Sequence, residues 1–120
     1  TCIAEVGHHL TLALADVGDF NAVVEYGEML ASMSGVFVDL RDLADHPALD
    51  PDPSTGYAEG NAVAARARAD GHNGVIYPSV RHTGGTCVAA LWPNVVQSVV
   101  QGAMVRLTWS GNPEYVWEPI

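Results

Sequence analysis

At 120 residues, 48% of them hydrophobic, the chain has the size of one domain and can bury a core without disulfide help. Fourteen acids face five arginines and no lysine, for a net charge of −9. Without clustered basic side chains to neutralise phosphates, the composition argues against a nucleic-acid surface and against docking on an anionic membrane. No apolar run approaches the roughly 18 residues of a membrane span, and no basic-then-apolar leader opens the chain. Cys2 and Cys87 lie far apart, outside any CxxC or CxxH spacing, so reduced thiols in a cytosolic protein are expected.

In chain order, residues 2 to 15 place Ile3, Val6, Leu10 and Leu14 at helical spacing, which predicts an amphipathic helix. At about 100° per residue, Glu5, His9 and Leu12 fall on the other side, with His8 near its edge. Gly18 and Asp19 close this helix. Asn21 to Leu30 mixes Val and Tyr with acids and predicts a half-exposed strand. Gly35 to Leu40 predicts a clearer one, with Val36, Val38 and Leu40 facing inward. The acidic loop from His46 to Thr55 holds Pro47, Pro51 and Pro53 and is expected to be a solvated connection. Pro53-Ser54-Thr55 offers a helix start, Tyr57 to Ala69 is alanine-rich, and Gly71 sits where a C-terminal cap belongs. Arg66 and Arg68 are expected on the solvated side of that helix.

The stretch from Gly74 to Trp92 is the most structured in pattern. Val75, Tyr77 and Ser79 share one face of a strand, and Ile76 and Val80 take the other. A polar turn opened by Gly84-Gly85 leads into a second apolar strand. A small hydroxyl thus stands at the end of a buried strand, beside Arg81 and a glycine-rich loop, where binding chemistry often sits. The same residues also fit an ordinary hairpin with a polar end. Pro93 to Val100 predicts a helical turn and then an extended piece. Met104–Trp109 and Tyr115–Glu118 predict a hairpin around Ser110-Gly111-Asn112-Pro113. The fold class is α+β, a mixed sheet with a few helices and no regular βαβ repetition, in a single domain over residues 1–120.

Several side chains could do chemistry. Glu5, His8 and His9 contain a Glu-x-x-His pair, which binds metal when other helices supply matching ligands. No second such pair exists, and His46, His72 and His82 sit in loops without ligand spacing. A salt-bridged surface patch explains the same residues.

Four motifs, in order, resemble those of the RES-domain family. Thr1-Cys2-Ile3-Ala4-Glu5-Val6-Gly7-His8-His9 resembles its glutamate helix, and Val38-Asp39-Leu40-Arg41 its AspLeuArg strand. Tyr57-Ala58-Glu59-Gly60-Asn61-Ala62 resembles the start of its second helix, with Asn61 where a glutamine is expected. Gly74 to Arg81, with Gly84 to Ala89, resembles the segment that carries its serine; Gln101-Gly102-Ala103 and the closing hairpin also fit.

The resemblance implies a fold similar to ADP-ribosyltransferases and the role of a bacterial, cytoplasmic toxin in a toxin–antitoxin pair. Such a protein consumes NAD by breaking the nicotinamide–ribose bond, with phosphate, water or a protein side chain as acceptor and no metal. Its implied partner is a helix-turn-helix (Xre-type) antitoxin, which would bind the DNA. Glu5 corresponds to the catalytic glutamate and Ser79 to the NAD-binding serine. Arg81 is the available cation for the pyrophosphate, and Tyr57 is a further candidate for NAD binding. The family's arginine lies in strands before the glutamate helix, so an upstream segment is expected. A degenerate copy that only binds a partner, and a metal site at Glu5, His8 and His9, remain the alternatives. Arg81 could also pair with an acid, and Tyr57 could staple the helix start.

Overall fold

A computed structural model describes all residues from Thr1 to Ile120. The chain divides into two compact units. One comprises Thr1 and Ser32–Gln97; the other comprises Cys2–Ala31 and Ser98–Ile120. The architecture is α+β, with two α-helices and two three-stranded sheets.

In the first unit, β2 (Phe37–Asp39), β3 (Gly74–Pro78) and β4 (Thr86–Ala90) form a sheet in the order β2-β3-β4. β2 and β3 are parallel, joined through helix α2 (Pro53–Ala69), so this unit contains one βαβ crossover. β3 and β4 form the expected antiparallel hairpin, with Gly74 opposite Ala90 and Pro78 opposite Thr86. The core is small: Leu40, Ala67 and Val75 are buried, and Val38, Val63, Tyr77 and Leu91 pack on them. Val63 and Ala67 stand four residues apart and so present one face of α2 to the sheet. Burying such aliphatic side chains contributes roughly 1.5–3 kcal/mol each for the larger ones.

One sequence expectation needs correction in this unit. Val36 does not face inward; it is 66% exposed. The Asn73 side-chain oxygen accepts the Val36 N–H at 2.7 Å, and the Asn73 backbone N–H donates to the Val36 carbonyl at 2.7 Å. The strand therefore begins only at Phe37. Arg68 is on the exposed side of α2 as expected, and there its guanidinium donates to the Leu91 carbonyl at 3.0 Å and lies 5.0 Å from the Trp92 ring centroid. α2 starts where its sequence indicates, but the cap is Asp52, whose carboxylate accepts from the Ser54 N–H. Gly71, with φ +79, ends it. A short 3-10 turn, Pro47–Leu49, interrupts the acidic loop and buries Leu49.

In the second unit, α1 (Cys2–Val17) covers one face of a sheet ordered β1-β5-β6. β1 runs Asn21–Met33, β5 Val96–Ser110 and β6 Tyr115–Pro119. β5 is longer than its sequence indicates, beginning at Val96 after a 3-10 turn over Pro93–Val95. β5 and β6 are antiparallel, with Arg106 opposite Glu118 and Leu107 opposite Trp117. Glu25 meets Arg106 and Glu28 meets the Ala103 amide, so β1 also runs antiparallel to β5.

Alternation then sorts the sheet. Leu107 and Trp109 are buried under α1, and Thr11 Oγ1 accepts from the Trp109 indole at 3.0 Å. Tyr115 donates to the Ile3 carbonyl (3.3 Å), and Gly7 is buried against its ring. On the opposite face Glu25, Arg106 and Glu118 form a cross-strand ion triple, at 2.7 and 3.5 Å. Gly18, with φ +79, terminates α1 as expected.

Candidate active site

The serine-bearing turn belongs to the first unit and follows directly from the hairpin. Ser79 is the first residue beyond β3 and is half-buried. Its N–H donates to the Gly85 carbonyl at 2.9 Å, holding the two ends of the turn together. Its hydroxyl oxygen accepts from the Arg81 N–H (3.3 Å) and the His82 N–H (3.1 Å). A serine side chain bonding backbone a few residues onward shapes the turn as much as it offers a hydroxyl to a ligand. Gly84, at φ +80, supplies the backbone conformation that brings the chain back. The His82 ring is hydrogen-bonded to the Thr1 hydroxyl, 3.0 Å from Nδ1, and Gly85 has no room for a side chain beside them.

Arg81 does not pair with an acid, the alternative its surroundings suggested. Its guanidinium reaches the Pro51 carbonyl at 3.4 Å and joins none of the ion pairs of the molecule. Pro51 lies two residues before α2, so Arg81 stands by the N-terminal end of that helix. Tyr57 lies in its first turns, 58% exposed. The turn and the helix start thus bring Ser79 and Arg81 to one end of the first unit, with Tyr57 on the adjoining helix.

Glu5 lies on α1 in the second unit, half-buried, as is His8, while His9 is exposed. The His8 and His9 rings sit edge to face, 5.4 Å apart. No group of three or more His, Cys, Asp or Glu side chains is arranged to hold a metal ion in the structure.

The AspLeuArg motif has a structural explanation. Leu40 enters the core, while Asp39 and Arg41 form a two-pronged ion pair at 3.0 and 2.7 Å. That guanidinium, with the Arg41 backbone N–H, holds the Asp39 carboxyl down at about 2. Arg41 is therefore spent on closing β2. Asp52 is likewise held below the usual carboxylate range by the Ser54 N–H and hydroxyl at the start of α2.

One concave feature was not legible from sequence. In the second unit, a cavity of about 460 Å³ opens between the first turns of α1 and the sheet, and Tyr26, Glu28 and Trp117 help to line it. The alternation of Ala22, Val24 and Tyr26, half-buried between exposed neighbours in β1, is the signal that these three share the helix-covered face.

No helix of the molecule is long and apolar enough to cross a membrane. No curated protein and no solved structure matches the chain. The RES domain family model matches residues 1–110. Since that match takes in nearly the whole sequence, glutamate helix and serine turn included, the chain belongs to the RES domain family.

Proposed function

We propose that this RES domain consumes NAD, breaking the nicotinamide–ribose bond, as the toxin of a toxin–antitoxin pair. The family match carries this reading. It runs through both compact units, which also supports treating residues 1–120 as one RES-type domain. Glu5 is the catalytic residue. Ser79, Arg81 and Tyr57 bind the dinucleotide.

The chemistry asks little of the protein beyond charge and position. Nicotinamide in NAD is a cation at its ring nitrogen and departs neutral, so no acid has to protonate it. The barrier lies in the positive charge that develops on the ribose, as in glycoside cleavage. A carboxylate beside that ribose stabilises the charge or orients the sugar hydroxyls, and such electrostatic terms are the larger ones in sites of this kind. Glu5 supplies it. Ser79 can donate to and accept from the nicotinamide amide or the ribose. Arg81, not neutralised by any protein acid, faces the pyrophosphate as a planar donor fork. The exposed Tyr57 ring is available to stack. The acceptor is phosphate, water or a protein side chain, and the partner that restrains the activity is an Xre-type helix-turn-helix antitoxin.

Incubation of the purified chain with NAD should release nicotinamide, followed by chromatography. No release from the folded protein would support a second reading, a RES-type module that binds without turnover. One observation favours that second reading: the Ser79 hydroxyl already serves two backbone N–H groups of its turn.

A further inference from the structure

We propose that the cavity beside α1 binds a small organic monocation with an apolar body, a primary arylalkylammonium being the simplest example. Its volume, about 460 Å³, falls within the range of roughly 300–1,000 Å³ usual for small-molecule sites. The wall is apolar where Ile3, Val6 and Val105 meet, and it carries two aromatic rings, Tyr26 and Trp117. Glu28 is the one charged residue among the lining side chains.

The state of Glu28 decides the sign of the ligand. Its carboxylate accepts one hydrogen bond, from the Ala103 N–H at 3.3 Å, and joins no ion pair. Arg106, the cation of this sheet, lies on the opposite face and is engaged by Glu25 and Glu118. An acid without a counter-charge at the mouth of an apolar cavity attracts a cation, with a strength moderated by its exposure to water. The aromatic rings add attraction for the same charge. An anionic dinucleotide would be repelled, and none of Glu5, Tyr57, Ser79 or Arg81 lines this cavity. The site is therefore independent of the NAD reading.

The test uses two near-isosteric probes, 2-phenylethylammonium and 2-phenylethanol, titrated calorimetrically into the whole chain. The ammonium should bind with one-to-one stoichiometry and about tenfold tighter than the alcohol, a preference of the size expected from an ion pair plus a cation–π contact. Glu28→Gln should erase the preference, and Trp117→Leu should weaken the ammonium alone. Trp117 is 53% exposed and Glu28 is also exposed, so circular dichroism should show the fold retained. Glu59→Gln, on the exposed surface of α2, controls for bulk attraction to an acidic protein. Equal binding of the two probes, a preference that survives Glu28→Gln, an equal loss in Glu59→Gln, or no ammonium binding at about 10 mM would each overturn the proposal.

Discussion

Ser79 holds its turn through its hydroxyl, and under the proposed function the same hydroxyl also meets the dinucleotide. Its hydroxyl accepts two backbone N–H bonds, and a net hydrogen bond is worth about 1 kcal/mol. Ser79→Ala should therefore lower stability by about 1–2 kcal/mol in urea unfolding and leave the protein folded. Nicotinamide release should fall further than that loss explains. Unchanged stability would remove the structural role assigned to the hydroxyl. Asp39 makes a pH-dependent case. Folded, its carboxyl takes up its proton near about 2; unfolded, near 3.8. The group thus stabilises the fold above pH ~4, and that contribution fades as pH falls towards ~2. Thermal melts of Asp39→Asn and the native protein should differ at neutral pH and converge near pH 2. Salt should narrow the difference, because the ion pair is about half exposed. A gap independent of pH would contradict the assignment.

At the scale of elements, α1 is seated by the absence of a side chain. A methyl group at Gly7 would collide with the Tyr115 ring, which also packs at 5.1 Å against Trp109. Gly→Ala inside a helix ordinarily gains up to about 1 kcal/mol. Overpacking costs about 1–3 kcal/mol, so the collision should win and Gly7→Ala should be destabilising. A more stable variant would show that α1 does not pack as described. The elements differ in how plainly their residues announce them. The β3–β4 hairpin was legible because Gly84-Gly85 separates two apolar runs, and α2 because Pro53-Ser54-Thr55 opens an alanine-rich run that Gly71 closes. The first half of β5 was not, since Val96-Gln97-Ser98-Val99-Val100 alternates poorly and Ser98 takes φ +53. Val36 misled for a tertiary reason: Asn73, distant in sequence, takes its N–H. The contact of Arg68 with Trp92 and the cavity around Glu28 depend on residues far apart in the chain, which periodicity cannot bring together.

The whole molecule is acidic, at net charge −9, and two of its five arginines, Arg41 and Arg106, are neutralised by neighbouring acids. Such a composition leaves little cationic surface for nucleic acid. The proposal stands on the family match and on the role given to Glu5, a half-buried residue outside the Ile3, Val6, Leu10 and Leu14 stripe of α1. The measurement that bears on it most directly is nicotinamide release from NAD by the native chain and by Glu5→Gln, each with its thermal melt. The account predicts release by the native chain, its loss in the variant, and matching melts. Full activity in Glu5→Gln, or an unfolded variant, would contradict it.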